Sequence, residues 1–344
     1  MLLHGIFPPI TTPFYPDGKV YFRKLEANVE RYSKTPAAGL VVLGSTGEAI
    51  LLSDEERREV LRAAREAAAP EKVLVAGTGI ESAVETLRLT EYAASLGYDV
   101  AMVRTPHYYK QQMKPENMLA FYRTVADRSP LPVIIYNFPP STGYDIPAEV
   151  VIALAEHPNL IGIKESGGDI NKVKAMVGGT RHVRRTVAVT EVFEAVTGRM
   201  RSAPLPENVV PASALASVAV AAPAAPKTRT KDVGFQVMVG SAHLLQSMLN
   251  VGAVGAILAF ACCAPTACFE IYTAWKDNDV DLAREKQERI VRPALRVVSE
   301  LGVPGLKHAL DFNGYYGGPP RLPLLPPTAE VKAEIERLME YIRN

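Results

Sequence analysis

Short runs made almost entirely of apolar residues, separated by longer segments of helical periodicity, limit what this chain can become more than any other feature. The runs are "GIFPP" near the start, "GLVVL" (Gly39 to Leu43), "VLVAG" (Val73 to Gly77), "VAMVR" (Val100 to Arg104), "VIIYN" (Val133 to Asn137), "LIGIK" (Leu160 to Lys164), "FQVMVG" (Phe235 to Gly240) and "GAILA" (Gly255 to Ala259). A strand that is apolar on both faces must be covered on both, which is the environment of a parallel sheet. The intervening segments read as amphipathic helices. In "SDEERREVLRAAREAAA", Ser53 serves as N-cap and Glu56 completes a capping box. Eight β/α units predict an α/β fold closed as a (β/α)8 TIM barrel, which takes about 250 residues.

The chain has 344 residues, so something is added to the barrel. From about Lys276 the pattern is helical only, which assigns residues 1–275 to a catalytic barrel domain and 276–344 to a C-terminal helical extension. The rhythm also breaks between about Thr180 and Asp232, where an Ala, Pro, Val and Ser tract follows the basic "RHVRR". Connections inside α/β units are short, so this tract is a low-complexity insertion between helix 6 and strand 7, expected to be poorly ordered. It falls on the N-terminal face of the barrel, opposite the catalytic loops. The arginines of "RHVRR" are expected to be solvated.

The charges nearly cancel, 38 Lys+Arg against 37 Asp+Glu, so no basic surface for nucleic acid or an acidic membrane is expected. No apolar run reaches the roughly 18 to 20 residues of a membrane span, and no targeting segment is read at the start, so a cytoplasmic protein is expected. Cys262, Cys263 and Cys268 sit together in an apolar stretch with no histidine close by, and read as buried reduced thiols. The six histidines (His4, His107, His157, His182, His243, His308) show no ligand spacing, so neither a metal nor another cofactor is expected.

The ends of the strands carry the chemistry. "GSTGE" (Gly44 to Glu48), "TPHYY" (Thr105 to Tyr109), "YNFP" (Tyr136 to Pro139), Lys164 and "GSA" (Gly240 to Ala242) all follow strands, and in a barrel such ends converge on one mouth. Lys164 closes a buried run. It can pair with a carboxylate or extend to solvent; alternatively, desolvation lowers its pKa and supplies a free amine that attacks a ketone to form an imine. Tyr136, at the equivalent end of the neighbouring strand, can fill the barrel or act as the proton carrier that imine chemistry needs. Ser45 and Thr46, between two glycines, can hold a carboxylate or simply mark a turn. Glu48 is read as serving that turn or the next helix, and His107 as a solvated loop residue.

The order "GSTGE", "AGTG", "TPHYY", "YNFPPSTG", "GIKES" and "VGS" resembles the dihydrodipicolinate synthase and N-acetylneuraminate lyase superfamily of pyruvate-type class I aldolases and lyases. That resemblance implies Lys164 as the Schiff-base lysine and Tyr136 as general acid/base. It implies a proton relay through Ser45 and Tyr108, the latter from a neighbouring subunit of a homotetramer, and a 2-oxo-acid carboxylate held by Ser45 and Thr46. Dihydrodipicolinate synthases carry an arginine where this chain has Ser141, and sialic acid lyases carry acidic residues where it has Gly240, Ser241 and Ala242. "HPNLIGIKESGGD", "FQVMVGSAHLL" and "GVPGLKHALDFNGYYGGPPRLPL" resemble the 4-hydroxy-2-oxoglutarate aldolase branch, although that branch has asparagine where this chain has Thr46. By that resemblance Ser166, Gly240 and Ser241 line the distal end of the substrate pocket, and the partners are pyruvate and an aldehyde. Dihydrodipicolinate synthase, a 2-keto-3-deoxy sugar acid aldolase and a non-catalytic pyruvate-binding barrel stay open as alternatives.

Overall fold

The structure, a computed structural model, describes residues 1–202 and 227–342. Ten strands are present among them: β1 (Gly5–Phe7), β2 (Gly39–Val42), β3 (Val73–Gly77), β4 (Val100–Arg104), β5 (Val133–Asn137), β6 (Leu160–Glu165), β7 (Arg185–Thr190), β8 (Thr228–Val233), β9 (Gln236–Val239) and β10 (Gly255–Ile257). Eight of them pair in parallel in the order β1-β10-β9-β6-β5-β4-β3-β2. A parallel bridge between Pro9 and Val41 joins the two ends of that order, with Val41 N–H donating to the Pro8 carbonyl at 3.0 Å. The result is the expected (β/α)8 barrel. Each of the eight apolar runs became a strand within a few residues of its expected limits.

The apolar runs are buried on both sides, as a parallel sheet inside a ring of helices requires. Residues of one parity, including Phe7, Val41, Val75, Met102, Ile134, Tyr136, Met238 and Ile257, pack into a cluster of their own inside the barrel. Their neighbours, such as Val42, Leu74, Val103, Ile135 and Ile163, pack outward against the helices. The helices start where their caps dictate. Ser53 Oγ accepts from Glu56 N–H and the Glu56 carboxylate accepts from Ser53 N–H, the capping box read from the sequence. The side chains of Asp169 and Thr328 cap later helices by accepting from first-turn N–H groups, without the reciprocal bond.

The region 180–232 departs from expectation at both ends. Residues 185–190 and 228–233 form the antiparallel pair β7–β8, with Arg185 opposite Val233 and Thr190 opposite Thr228. Residues 203–226 of the expected insertion lie outside the described residues. The connection following β7 runs under the barrel: Thr197 Oγ1 donates to the Pro70 carbonyl at 2.6 Å, and Arg199 donates to the carbonyls of Ala68 and Ala69, both at 3.2 Å. These loops precede β3, so the segment covers the N-terminal face, the one anticipated. Arg185 is not solvated as its basic run suggested. It is half-buried and donates to the carbonyls of Ala155 and His157 at 2.8 and 2.9 Å. The two apolar positions Val189 and Val233 pack with Leu2, which is what holds the pair against the barrel floor.

After β10 the described chain is helical, in Pro265–Lys276, Val280–Ala294, Gly302–Phe312 and Ala329–Met339. No helix among the described residues is long and apolar enough to cross a membrane.

Candidate active site

The register of three adjacent strands builds the centre of the mouth. Arg104 on β4 is the Cα partner of Tyr136 on β5, and Tyr136 is the Cα partner of Lys164 on β6. In-register residues of parallel strands share a face, so Arg104, Tyr136 and Lys164 form one inward row at the C-terminal end of the barrel. Lys164 is 4 % exposed, and its ammonium nitrogen lies 4.1 Å from the centroid of the Tyr136 ring. No carboxylate pairs with it among the described residues. Burial drives its pKa down to about 7, against a small opposing effect of the nearby Cys262 thiol. A large share of the amine is therefore unprotonated near neutral pH, the form that attacks a carbonyl carbon.

Tyr136 is buried, and its phenol oxygen lies 3.2 Å from Ser45 Oγ. Burial raises the phenol to about 12, with the Ser45 contact and Arg104 pulling the other way. The phenol is thus neutral at physiological pH and able to donate a proton. Ser45 begins the turn Ser45–Gly47, and Thr46 behind it is buried. Thr12 Oγ1 donates to the Gly47 carbonyl at 2.6 Å, tying the turn to the segment after β1.

Glu48 closes the turn in the left-handed region, at φ 54°, a conformation a glutamate adopts only when its surroundings impose it. Its carboxylate is buried beneath the turn. Lys307, from the helix Gly302–Phe312, places Nζ 2.6 Å from Glu48 Oε1 and donates to the carbonyls of Thr12 and Pro319 at 2.9 and 3.0 Å. The contact with Oε1 is an ion pair and not an aligned hydrogen bond. Glu48 Oε2 accepts from the Arg321 N–H at 2.8 Å. The C-terminal helices therefore brace the turn that carries Ser45 and Thr46.

Ser166 and Gly240 meet above β6 and β9. A Cβ at position 240 would lie 2.0 Å from Ser166 Oγ, so only glycine fits there, and Ser241 begins the next turn. On the outward side, Asn137 Nδ2 donates to Glu165 Oε2 at 2.9 Å and to Asp145 Oδ1 at 2.7 Å, and Lys172 lies 3.3 Å from Glu165 Oε2. This network alternates with the inward row and locks β5 to β6, so Tyr136 and Lys164 are held by their sequence neighbours. Tyr108 stands apart. It is 75 % exposed and stacks edge-on against Tyr109, away from Ser45 and Tyr136 of its own chain.

Sequence reasoning missed one group. Arg104 lies 2.9 Å from Glu81 Oε1, His107 Nδ1 lies 2.6 Å from Arg104 and 2.8 Å from Glu81, and Glu81 Oε2 accepts from the N–H groups of His107 and Tyr108. His107 is half-buried in this cluster, not a solvated loop residue. The signal was available: Arg104 ends an apolar run as Lys164 does. A cavity of about 230 Å³ opens beside the row. Ser45, Arg104, His107, Tyr136 and Ser141 line it; Lys164 does not, and lies with its amine against the Tyr136 ring. The cysteines Cys262, Cys263 and Cys268 are buried and unbonded to one another.

A model of the dihydrodipicolinate synthetase family matches residues 2–186 and 224–342. The residues between, 187–223, fall within the region read as an insertion. The chain is similar to a 4-hydroxy-tetrahydrodipicolinate synthase of Natronomonas pharaonis, 34% identical over 97% of this chain and 96% of the relative. It is similar to a probable mitochondrial 4-hydroxy-2-oxoglutarate aldolase of Emericella nidulans, 30% identical over 97% of this chain and 93% of the relative. Among solved structures it matches a prophage protein of the dihydrodipicolinic acid synthase family from E. coli K12, in complex with pyruvate, at TM-score 0.78 and 26% identity over 99% of both chains. With the barrel, the buried lysine and these relatives together, the chain belongs to the dihydrodipicolinate synthetase family and is an enzyme of the class I aldolase type.

Proposed function

We propose that the protein reversibly cleaves 4-hydroxy-2-oxoglutarate to pyruvate and glyoxylate through an imine on Lys164. The observation that carries the chemistry is the buried Lys164 amine, without a carboxylate partner among the described residues and stacked on the Tyr136 ring. The amine attacks the C2 ketone, and the neutral Tyr136 phenol protonates the carbinolamine oxygen so that water leaves. The phenolate left behind takes the proton of the C4 hydroxyl as the C3–C4 bond breaks and glyoxylate departs. The electron pair of that bond is received by the protonated imine, giving an enamine. Protonation at C3 and hydrolysis then release pyruvate and return the amine.

Ser45, with Tyr108 supplied by a neighbouring copy in a homotetramer, relays protons to Tyr136. Ser45 and Thr46 hold the 2-oxo-acid carboxylate; Ser166, Gly240 and Ser241 shape the distal end of the site. The Emericella relative supports the substrate. Relatives named 4-hydroxy-tetrahydrodipicolinate synthase support a second reading, in which the product is 4-hydroxy-tetrahydrodipicolinate. Borohydride reduction in the presence of pyruvate, followed by peptide mass analysis, is expected to leave a pyruvate-derived adduct on the Lys164 peptide that Lys164→Ala abolishes. A folded wild type without the adduct would overturn the imine chemistry. Cleavage of 4-hydroxy-2-oxoglutarate and formation of 4-hydroxy-tetrahydrodipicolinate, assayed separately, then decide between the two readings.

A further inference from the structure

We propose that Arg104 determines substrate specificity by binding a carboxylate on the aldehyde partner. This rests on the reading of Lys164 as the imine site and extends it to the second substrate, whose carboxylate it seats on the β4 side of Lys164 at Arg104, while Ser166, Gly240 and Ser241 bound the opposite, β9 side of the site. Arg104 and Lys164 stand on the same inward row with Tyr136 between them, so their Cα atoms are two strand spacings, about 10 Å, apart. A substrate joined to the lysine and touching the tyrosine at its reacting bond extends, in that direction, toward the guanidinium.

The cavity on that side has the matching charge. Its ionised lining residues are Arg57 and Arg104, with no aspartate or glutamate among the residues that line it. Arg57 is committed to its own helix, donating to the Ala49 carbonyl and to Asp54. The loop after β5 offers only Ser141 and Thr142 to the cavity as polar contacts. Arg104 is the cation nearest the reacting row. One of its terminal nitrogens faces Glu81 and His107, and its remaining donors have no protein acceptor among the described residues. Glu81 is itself fixed by two backbone N–H groups, so the guanidinium is oriented before any substrate arrives. A guanidinium with an unused edge recognises a carboxylate through paired N–H donors.

The test compares aldol addition of pyruvate to anionic aldehydes (glyoxylate, succinic semialdehyde) and to neutral ones (glycolaldehyde, propionaldehyde) by kcat/KM. Wild type is expected to favour the anionic pair. Arg104→Met should lower the anionic-to-neutral ratio at least tenfold, and Arg104→Lys should keep most of it. The ratio cancels any general effect that losing the arginine has on Tyr136. An equal ratio in wild type and Arg104→Met overturns the inference, as does a loss that appears in the pyruvate dependence instead. If Arg104→Met does not fold, Glu81→Gln carries the test: with the carboxylate that orients the guanidinium removed, KM should rise for anionic aldehydes alone, and a KM that is unchanged or that rises equally for neutral aldehydes overturns the proposal. A glyoxylate failure combined with Arg104-dependent use of succinic semialdehyde would sink the proposed substrate and sustain the role of Arg104. Absence of any pyruvate adduct would sink the imine reading separately.

Discussion

Two buried lysines, one beneath the Ser45–Gly47 turn and one at the end of β6, have been treated in opposite ways. Lys307, beneath the Ser45–Gly47 turn, is surrounded by a carboxylate and two carbonyls. Lys164, at the end of β6, has an aromatic face and no acceptor of its charge among the described residues. Burial lowers the pKa of both, but for Lys307 the charge of Glu48 works against the effect, whereas for Lys164 little does. A buried cation with partners holds structure together; a buried amine without them is available for reaction.

The sharpest way to break that contrast is to remove each lysine and measure both activity and stability. Lys164→Met should abolish turnover and borohydride trapping while leaving the thermal midpoint unchanged or raised, since it replaces an amine that burial disfavours. A clear loss of stability would show that Lys164 has a structural partner after all. Tyr136→Phe should cost about 10²- to 10⁴-fold in turnover, the range for a positioned acid/base. If turnover stays within threefold, another group carries the proton. Lys307→Met should show the converse, losing about 3 to 5 kcal/mol of stability because Glu48 is left charged and buried. The double variant Lys307→Met with Glu48→Leu should recover most of that in chemical denaturation, and failure to recover would deny that the pair is the cause.

The smallest effect is the pH dependence of trapping. With the Lys164 pKa lowered to about 7, the unprotonated fraction rises as pH rises, by about tenfold from pH 6 to pH 8, and the initial trapping rate with pyruvate should follow it. A profile that climbs only above pH 9 would mean that the amine is as basic as an exposed lysine.

Much of this was legible in the sequence. Eight apolar runs gave eight strands because burial on both faces leaves no polar alternation to misread. Lys164 and Tyr136 could be singled out because each ends such a run. Their one-row geometry could not, since it depends on the register of β5 against β6, and that pairing includes a shift between Val133 and Ile134. Glu48 was assigned to its turn correctly, but its partner is 259 positions away in "GLKHAL", and nothing local marks a pair at that separation. The β7–β8 pair was missed because low complexity in the middle of the tract concealed the alternating "RTVAVT" and "TRTKDV" at its edges.

The brace from Lys307 to Glu48 has a consequence for how the enzyme is made. All eight barrel strands, the Lys164 amine and the Tyr136 phenol are translated before residue 260, yet the support for the Ser45–Gly47 turn arrives with residues 302–321. A chain that stops short would carry Lys164 and Tyr136 on finished strands beside an unsupported Ser45–Gly47 turn. Competence is thereby tied to completion of synthesis, because a truncated product lacks the residues that brace the turn.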